Sequence, residues 1–579
     1  MRPTSLTVAF IVLAAMPAPS PSSSAGEPSR GGASAPARDA MRARPEDVRS
    51  WQARRFGLFV HWGPCSIKGV EISHSRKAMG AAAYDNLYRE FNPVKFDAKE
   101  WVAVAQAAGV KYLVFTAKHH DGFCEFDSRL TDYKITNSPF KRDVTAELAT
   151  ACREAGLGLG LYYSQPDWHH PDYFGPRHDR PKDFDPKNHE RYVKYYQGQL
   201  RELCTNYGRV DVIWFDGLGG TAQLWDAENA FKLIRSLQPH ALINDRCGLP
   251  GDFTTPEQWV GKFNADRPWE SCITLCSQWS WRPNDAMKSL KECVDLLVTC
   301  AGGDGNLLLN VGPMPTGEIE PRQVERLKEI GAWLTKCGET IYGTRGGPVL
   351  PSQWLCSTRK DNAVYLHILS RCSRQFRLPP LPGKLVGSSV LTGGRVTVEQ
   401  NAEGLLVSLP PESLQELDSI VKLEFDGPVA DMTPVKARLL SLASGGKASA
   451  SGVYRNQEKS HGAALAFDGD PDTRWATDDG TTQAWLGVDL PDAAAVGGVA
   501  LSEYGDRVEA FELQYRQGDA WKPCARGGRI GAALELKFEP VTARNFRLLI
   551  TKTKAAPSIY ELLLLAPGAA VRAPDKKQP

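Results

Sequence analysis

The chain has 579 residues, which is too long for one domain and indicates about three. Hydrophobic residues make up 42% of it and charged residues 23%, which is ordinary for a globular protein in water. The formal net charge is +2 without a long basic run, which argues against a nucleic-acid partner or an anionic membrane surface.

The N-terminal part has the composition of an export signal and a tether. Arg2 precedes the apolar run 6–16, and small residues at 23–25 offer a cleavage point, so residues 1–25 are predicted to be a signal peptide. Residues 26–40 are rich in Pro, Ser, Ala and Gly and are predicted to form a flexible linker. No later stretch is long and apolar enough for a transmembrane helix. The sequence therefore predicts an exported protein, either periplasmic or secreted.

Thirteen cysteines are scattered along the chain without the spacing of a metal site. Several lie within apolar patterns, which predicts core packing rather than a disulfide framework. Export to an oxidising compartment would still allow one or two bridges.

Strand-like and helix-like segments alternate from residue 41 to about residue 345. Short apolar runs predict strands at 56–62, 112–117, 157–163, 210–215, 241–244 and 307–311. Helical periodicity fills the gaps at 98–108, 144–154, 188–204, 226–237, 286–300 and 321–336. These repeated units predict a (β/α)8-like barrel, with an open doubly wound sheet as the alternative. The lack of GxGxxG and Walker patterns argues against a nucleotide-binding open sheet.

Polar side chains follow these strands at the edge where a parallel barrel places its catalytic groups. Asp216 directly follows the run 210–215 and is the candidate central residue, although an Asp-Gly pair also makes an ordinary turn. The other predicted strands that end in polar residues do so at His61, at His119 and His120, at Tyr162 and Tyr163, and at Asn244, Asp245 and Arg246. Their convergence on one barrel mouth predicts an active site around Asp216.

A catalytic metal is not expected at this mouth. His119 and His120 are neighbours, and on an extended strand their side chains point to opposite faces, so both enter the mouth only if the chain bends. Neither has a Cys or a carboxylate at zinc-ligand spacing, and HExxH is absent. We expect the histidines to donate hydrogen bonds to substrate hydroxyls instead.

Two acids downstream of Arg246 complete the requirement for retaining glycoside hydrolysis. That reaction needs one carboxylate as nucleophile and a second that donates a proton to the leaving oxygen and later takes one from water. Glu257 ends the segment 251–257 and Glu270 follows Trp269, both in predicted loops. A loop acid is often only solvated, so the residues alone leave both acids open.

Six segments in order resemble the α-L-fucosidases of glycoside hydrolase family 29. They are FGLFVHWGP at 56–64, KHHDGF at 118–123, YYS at 162–164, WFDG at 214–217, NDR at 244–246 and GDGNLLLNVGP at 303–313. The resemblance implies a retaining exo-α-L-fucosidase on a TIM-like barrel, with no cofactor for catalysis. It also implies a fucosylated oligosaccharide or glycoconjugate as the partner.

By that resemblance Asp216 is the nucleophile and Glu257 the acid/base, with Glu270 as the alternative acid/base. The same resemblance assigns substrate binding or orientation of the nucleophile to His61, Glu71, His119, His120, Tyr163 and Arg246. The chain departs from the family where Ile72 follows Glu71, because a tryptophan is common there. An aromatic such as Trp279 could replace this wall and cover the apolar C6 methyl group of fucose.

Two β-rich blocks follow the barrel. The short strands and Pro- and Gly-rich turns of 346–430 resemble the small β-sandwich that follows the family's barrel, and 432–446 is predicted to be a joint. Residues 447–567 resemble the discoidin or coagulation-factor C-type jelly roll, a galactose-binding-like fold. Its DG-x3-T-x-W turn often holds a structural calcium, whose ligands here would be Asp468, Thr473 and Glu561. A turn closed by its own hydrogen bonds is the alternative.

Two other functions fit the same sequence. A retaining α-L-galactosidase-like enzyme differs in substrate by one added hydroxyl, which a pocket rejects only weakly. A catalytically inactive carbohydrate-binding or adhesion protein would be expected to lose Asp216 or the surrounding histidines, and both are present. The sequence therefore favours the exported enzyme.

Overall fold

The computed structural model describes residues 41–175, 185–369 and 375–567, so the predicted signal peptide 1–25 and linker 26–40 lie outside the described residues. The first domain contains seven parallel strands in the order β5-β4-β3-β2-β1-β7-β6. These strands are β1 Phe56–Val60, β2 Tyr112–Lys118, β3 Gly158–Tyr163, β4 Val212–Phe215, β5 Leu242–Ile243, β6 Glu270–Thr274 and β7 Asn306–Val311.

The segment 253–257 bridges the gap between β5 and β6. Its isolated parallel pairs are Asn244–Phe253, Thr254–Trp269 and Glu257–Cys272. Backbone hydrogen bonds of 2.9 and 3.0 Å run from the amides of Glu270 and Cys272 to the carbonyls of Thr254 and Pro256. The segment thus takes the place of an eighth strand, and the predicted barrel-like fold is confirmed.

Helices flank the sheet and begin where their caps allow. The longer ones are α1 Pro45–Arg54, α2 Ala98–Ala107, α3 Val144–Glu154, α4 Pro186–Asn206, α5 Ala227–Leu237, α6 Leu290–Gly302 and α7 Pro321–Cys337, and the connection after β1 holds the short helices Arg76–Met79 and Ala81–Asp85. Ser289 and Glu292 form a capping box on α6, which explains why this helix begins later than the predicted residue 286. In the described ranges no helix is long and apolar enough to cross a membrane.

Alternate strand residues fill the interior of the barrel. Tyr112 and Val114 of β2, Tyr162 of β3, and Val212 and Trp214 of β4 belong to one buried interior cluster. The intervening residues pack outward into the larger core shared with the helices. This two-residue period decides which side chains reach the mouth, because the next inward-facing residue past a strand end lies there.

The loop predicted around Trp269 and Glu270 is wrong, because Glu270 begins strand β6. All five residues of β6 are buried and pair with β7. The strand begins Glu-Ser and lacks the continuous apolar run of its neighbours, so the hydrophobic pattern did not reveal it.

The second domain is a β-sandwich of two antiparallel sheets, with strand orders β12-β15-β10-β9-β8 and β13-β14-β11-β16. The strands are β8 Arg345–Gly346, β9 Leu355–Lys360, β10 Ala363–Ile368, β11 Gln375–Leu378, β12 Leu385–Val390, β13 Thr397–Asn401, β14 Gly404–Ser408, β15 Ser419–Phe425 and β16 Arg438–Leu439. The segment 432–446, predicted as a joint, supplies β16, and the Val435 amide bonds to the Pro348 carbonyl at 2.8 Å. The sandwich therefore continues past residue 430.

The third domain is an antiparallel β structure around its own buried cluster. Its strands are β17 Lys447–Ala450, β18 Trp475–Ala476, β19 Ala484–Glu503, β20 Val508–Gln517, β21 Ala520–Gly527, β22 Leu534–Thr553 and β23 Ser558–Leu565, and the short helix Glu458–His461 precedes β18. Register shifts after Asp489 and Val496 bend the 20-residue strand β19 around the cluster.

The cysteines in the described part of the chain are all unpaired, and all of them except Cys524 are buried. They pack as small apolar side chains. The prediction of core packing rather than a disulfide framework is therefore confirmed for these residues.

A buried ion cluster joins the barrel to the sandwich. The Arg55 guanidinium donates to Asp304 at 2.6 Å and to the Thr344 carbonyl. Asp304 also accepts from the Arg345 guanidinium at 3.0 Å and from the Gly346 amide at 2.9 Å. Burial alone would raise the pKa of Asp304, but Arg345 and Arg55 outweigh it and leave this pKa below its ordinary value. Removing Asp304 would leave a buried cation without its partner.

We expect Asp304→Ala to lower the free energy of unfolding by about 3–5 kcal/mol, because it leaves the buried Arg55 charge without its partner. Urea denaturation followed by tryptophan fluorescence measures this. Glu412→Ala is the matched control: its pair with Arg395 is exposed, so the loss should stay within about 1 kcal/mol. Equal losses in the two variants would contradict the role given to the cluster.

Candidate active site

A cavity of about 120 Å³ lies at the carboxyl ends of the barrel strands. Its lining residues are Phe59, His61, His74, His119, His120, Tyr162, Trp214, Asp216, Leu218, Arg246, Glu257, Cys272 and Trp279. It is small beside the roughly 300–1,000 Å³ of pockets for drug-sized ligands, and its lining combines aromatic rings with histidines, an arginine and two carboxyl groups. The cavity therefore suits a single terminal sugar.

Asp216 continues the inward-facing set of β4 past its carboxyl end. Its Oδ2 accepts a hydrogen bond from the Tyr162 hydroxyl at 2.9 Å and lies 3.5 Å from His120 Nε2. Burial would raise the pKa of Asp216, but Arg246, His120 and the bond from Tyr162 outweigh burial and leave this pKa below its ordinary value. At neutral pH Asp216 is therefore an ionised carboxylate, the form that a nucleophile requires.

Arg246 is held from three sides above the nucleophile. Its Nε donates to Thr255 Oγ1 at 2.8 Å, and its Nη2 donates to the Thr255 carbonyl at 3.0 Å. Its guanidinium carbon lies 4.7 Å from the centroid of the Trp214 ring, in a cation–π contact. The planar group therefore has little freedom to turn.

One nitrogen of Arg246 contacts both candidate catalytic acids. Nη1 lies 3.3 Å from Asp216 Oδ1 and 2.8 Å from Glu257 Oε2. These two oxygens can therefore be no more than about 6 Å apart, which fits the roughly 5–5.5 Å of retaining glycosidases better than the roughly 6.5–9.5 Å of inverting ones. The structure thus brings Glu257 and Asp216 together as a pair.

Glu257 reaches the mouth because the segment 253–257 follows the strand period. Phe253 fills the barrel interior, Thr255 binds Arg246 one step higher, and Glu257 lines the cavity above them. Its side chain is 43% exposed, so it meets both the cavity and solvent. That position suits a group that exchanges protons with water between steps.

Glu270, the alternative acid/base, does not line the cavity. It is the first residue of β6, roughly 13 Å below the strand's carboxyl end at about 3.3 Å per residue, and it is fully buried. Its carboxyl group accepts hydrogen bonds from the Tyr112 hydroxyl and, at 3.0 Å, from Trp214 Nε1. The placement therefore favours Glu257 as the acid/base.

Tyr163 lies outside the cavity, contrary to the role expected from the resemblance. Its hydroxyl donates to Gln199 on α4 at 2.7 Å, and its ring lies 4.6 Å from Lys118 Nζ. Neighbouring strand residues point to opposite faces, so the inward residue is Tyr162, which bonds Asp216. The tyrosine of this site is therefore Tyr162.

His61 is a neutral hydrogen-bond acceptor towards the cavity. Asn310 Nδ2 donates to the Trp279 carbonyl at 2.7 Å, so Asn310 Oδ1 faces His61 Nδ1 at 2.6 Å and accepts its proton. Burial lowers the pKa of His61 to about 3, although Asn310 and Asp216 act in the opposite direction. Its Nε2 therefore carries no proton at neutral pH and can accept a hydrogen bond from a hydroxyl group, the reverse of the expected donor role.

His119 and His120 both line the cavity, because the chain turns directly after β2. The Gly122 amide bonds back to the His119 carbonyl at 3.0 Å, which ends the extended conformation. His119 Nδ1 lies 2.6 Å from Ser73 Oγ and His120 Nδ1 lies 2.6 Å from Ser164 Oγ. The bend thus brings in both imidazoles, each oriented by a serine.

His74 is a cavity residue that the sequence analysis missed. Its ring centroid lies 6.2 Å from that of His119 and 5.7 Å from those of His120 and Trp168. His74 is the third residue after Glu71, in a segment without strand or helix pattern. Only its nearness to Glu71 could have indicated it.

Glu71 supports the cavity wall from behind. Its carboxylate accepts from the amides of Trp279 at 3.0 Å and Ser280 at 3.2 Å. Glu71 is absent from the lining, whereas Trp279 lines the cavity with its ring 4.8 Å from His61. Trp279 therefore occupies the wall as expected, and Glu71 positions it.

His119, His120 and Asp216 also have the spacing of a metal site. Each offers one ligand atom, and these atoms lie within 4.8 Å of one another. The hydrogen bond from Tyr162 and the ion pair with Arg246 already engage both oxygens of Asp216. The expectation of catalysis without a metal therefore stays a prediction.

A second, more open cavity of about 420 Å³ adjoins the first and shares Asp216, Leu218 and Arg246 with it. Its other lining residues are Gly219, Gly220, Asp245, Gly248 and Thr255. At Gly248, with φ +79°, a Cβ would lie 2.4 Å from the Ala222 amide nitrogen, so a side chain has no room. Glycine at 248 therefore lets this wall of the cavity pack closely against the backbone of residues 221–222.

The turn at 468–473 in the third domain concentrates oxygen atoms, several of which share a single donor. The single hydroxyl proton of Thr473 faces Asp468 Oδ2, the Leu465 carbonyl and the Asp470 carbonyl, each at 3.0 Å. Both oxygens of the buried Glu561 lack a hydrogen-bond partner, and burial with the Asp468 charge raises the pKa of Glu561 to about 9. This excess of acceptors fits a hard cation such as Ca²⁺.

Comparison with known proteins gives the same assignment by domain. The profile described as "Alpha-L-fucosidase" matches residues 33–339, and the profile described as "F5/8 type C domain" matches residues 447–562. The human plasma alpha-L-fucosidase is 29% identical over 410 residues, which cover 63% of this chain and 86% of that protein.

Solved structures agree. Alpha-L-fucosidase isoenzyme 1 from Paenibacillus thiaminolyticus is 38% identical with a TM-score of 0.61, and the match covers 67% of this chain and 100% of that one. A family 29 alpha-L-fucosidase from Bacteroides thetaiotaomicron, trapped as a covalent intermediate with 2-fluoro-fucosyl fluoride, is 27% identical with a TM-score of 0.61 over 66% and 97% of the two chains. The chain belongs to the α-L-fucosidase family of glycoside hydrolases, family 29, and carries a C-terminal F5/8 type C domain.

Proposed function

We propose that this protein is an exported, retaining exo-α-L-fucosidase that removes terminal α-L-fucose from glycans. The observation that carries the proposal is the Arg246 nitrogen shared by Asp216 and Glu257, which keeps one oxygen of each carboxyl group within about 6 Å of the other and so supports a retaining pair. The one-sugar cavity around them supports removal of a terminal residue.

The first step transfers the sugar to the enzyme. Asp216 forms a bond to the anomeric carbon while the bond from that carbon to the glycan oxygen breaks, and Glu257 gives its proton to the departing oxygen. The shortened glycan leaves through the adjoining cavity. Tyr162 and Arg246 bind the Asp216 oxygens and orient them for the attack.

The second step releases fucose. A water molecule gives its proton to Glu257 and its oxygen to the anomeric carbon, while the bond to Asp216 breaks. Two inversions return the sugar to its original configuration. The exposure of Glu257 lets this water approach from the solvent side.

The cavity walls suit a 6-deoxy sugar. His61 accepts a hydrogen bond from a ring hydroxyl, while the rings of Phe59, Trp214 and Trp279 form an apolar surface for a methyl group. The added hydroxyl of an α-L-galactoside would have to find a partner at this surface. This favours fucose over the galactosidase alternative.

The proposal of export is based on the sequence of residues 1–25. The proposal of a bound calcium ion is based on the oxygen-rich turn 468–473. Asp468, Thr473 and Glu561 would hold this Ca²⁺, with carbonyl oxygens of the same turn. The ion would neutralise facing carboxyl groups and so stabilise the third domain. It takes no part in the chemistry.

Asp216→Ala should lower kcat on aryl α-L-fucoside by at least about 10³-fold, because no other group can form the glycosyl bond. Added azide should restore turnover and yield the inverted β-fucosyl azide, identified by NMR. Unchanged melting temperature controls for folding. A variant that turns over at a near wild-type rate would remove Asp216 from the mechanism.

Glu257→Ala should slow cleavage of natural oligosaccharides far more than cleavage of an aryl fucoside with an activated leaving group. Only the poor leaving group needs the proton, so the rate on oligosaccharides should fall about 10²–10⁴-fold more than the rate on the activated fucoside. Azide should rescue the second step and give the retained α-fucosyl azide. The comparison variant Glu270→Ala should slow both kinds of substrate to a similar extent; if it alone shows the dependence on the leaving group, the acid is Glu270.

Calcium should raise the unfolding free energy of the third domain by about 2.7 kcal/mol at a hundredfold excess over its Kd. Unbound Glu561 is protonated at neutral pH because its pKa is about 9, so binding releases a proton. The calcium-induced shift in Tm should therefore increase as the pH rises from about 6 to about 8. Calorimetry with Glu561→Gln should show no shift, whereas the exposed control Glu509→Gln should keep it.

A further inference from the structure

Glu270 is a buried ionisable group that the proposed mechanism does not use. Its two hydrogen-bond donors, Tyr112 and Trp214, come from strands β2 and β4. The Tyr112 hydroxyl also accepts from Asn306 Nδ2 at 3.3 Å, so its own proton is directed to Glu270. The carboxyl group is thus fixed at the base of the barrel interior.

Trp214 connects the fixed carboxyl group of Glu270 to the catalytic pair through direct contacts. Its indole nitrogen bonds Glu270, its ring packs against Tyr162 with 20° between the planes, and its face lies under the Arg246 guanidinium. Arg246 in turn contacts Asp216 and Glu257 through one nitrogen. Every link of this path is a hydrogen bond, an ion pair or a ring contact.

We infer that Glu270 is a positioning residue: by holding the Trp214 indole, it sets the place of Arg246 and so the spacing of Asp216 and Glu257. The inference rests on the proposed function and adds a residue that does not touch the substrate. A carboxylate that accepts the indole proton also enriches the ring in electrons, which strengthens its attraction for the cation above.

The charge of Glu270 should change near neutral pH. Burial raises its pKa to about 7, against the opposing bonds from Tyr112 and Trp214. Other titratable groups close to it are the thiols of Cys272 on β6 and Cys300 on α6, whose pKa values burial raises, so both are neutral at this pH. The Arg54 guanidinium at the end of α1 acts on the neighbouring Tyr112 hydroxyl. As the pH rises through about 7, Glu270 becomes charged and its hold on Arg246 through Trp214 increases.

The variants Glu270→Gln, Trp214→Phe and Tyr112→Phe test this in the full-length enzyme on an aryl α-L-fucoside. Glu270→Gln should lower kcat about tenfold with KM changed less than about threefold, and should remove a step near pH 7 from the kcat profile. In the Trp214→Phe background the same substitution should have no further effect on kcat, because the path is already broken. Tyr112→Phe removes a hydrogen bond that holds the pKa of Glu270 down but spares the indole bond, so it should lower Tm, move the step in the kcat profile to higher pH and keep the kcat of the high-pH plateau.

A Glu270→Gln enzyme with wild-type kcat and pH profile would overturn the inference, as would independent effects of Glu270→Gln and Trp214→Phe. If Glu270→Gln fails to fold, Trp214→Phe alone must lower kcat and abolish the step near pH 7, and its failure to do so overturns the inference equally. A wild-type enzyme without activity on the fucoside would instead refute the proposed function.

Discussion

The contact of one arginine with two carboxylates is the constraint on which this active site depends. At 6 Å or less and an effective dielectric constant near 20, two unit charges repel by at least about 3 kcal/mol. Arg246 offsets this repulsion because it lies between Asp216 and Glu257. Its position is in turn set by Thr255 and by the Trp214 ring, so the spacing of the pair is determined before substrate arrives.

The barrel supplies this geometry through its period of two. Inward-facing residues of β4 rise from Val212 through Trp214 to Asp216, and those of the bridging segment rise from Phe253 through Thr255 to Glu257. The lower members are apolar filling, the middle members hold Arg246, and the upper members carry the chemistry. Packing and catalysis are thus successive layers of the same strands.

Much of this arrangement could be predicted from the sequence. Apolar runs located most strands, and polar residues at their ends located the mouth around Asp216, because a parallel barrel gathers its strand ends. The choice between Tyr162 and Tyr163 needed the phase of β3, which two adjacent tyrosines do not reveal. Strand β6 was missed because Glu270 makes its first position polar.

Other features depend on contacts distant in the sequence. Glu71 matched a pocket residue of the family, yet its carboxylate binds backbone amides more than 200 residues away. The donor or acceptor character of His61 follows from Asn310, whose amide is oriented by the Trp279 carbonyl. No local pattern carries such information, since it arises only when separate strands meet.

The backbone segments that carry the two catalytic carboxylates differ in how extensively they are hydrogen-bonded to their neighbours. Asp216 follows a strand paired on both sides, whereas Glu257 ends a segment joined to its neighbours by isolated pairs. Thermal motion should therefore displace the proton donor before it displaces the nucleophile. On warming, the enzyme would first lose activity on substrates whose leaving groups need a proton. Its apparent heat tolerance would therefore depend on the fucoside used to measure it.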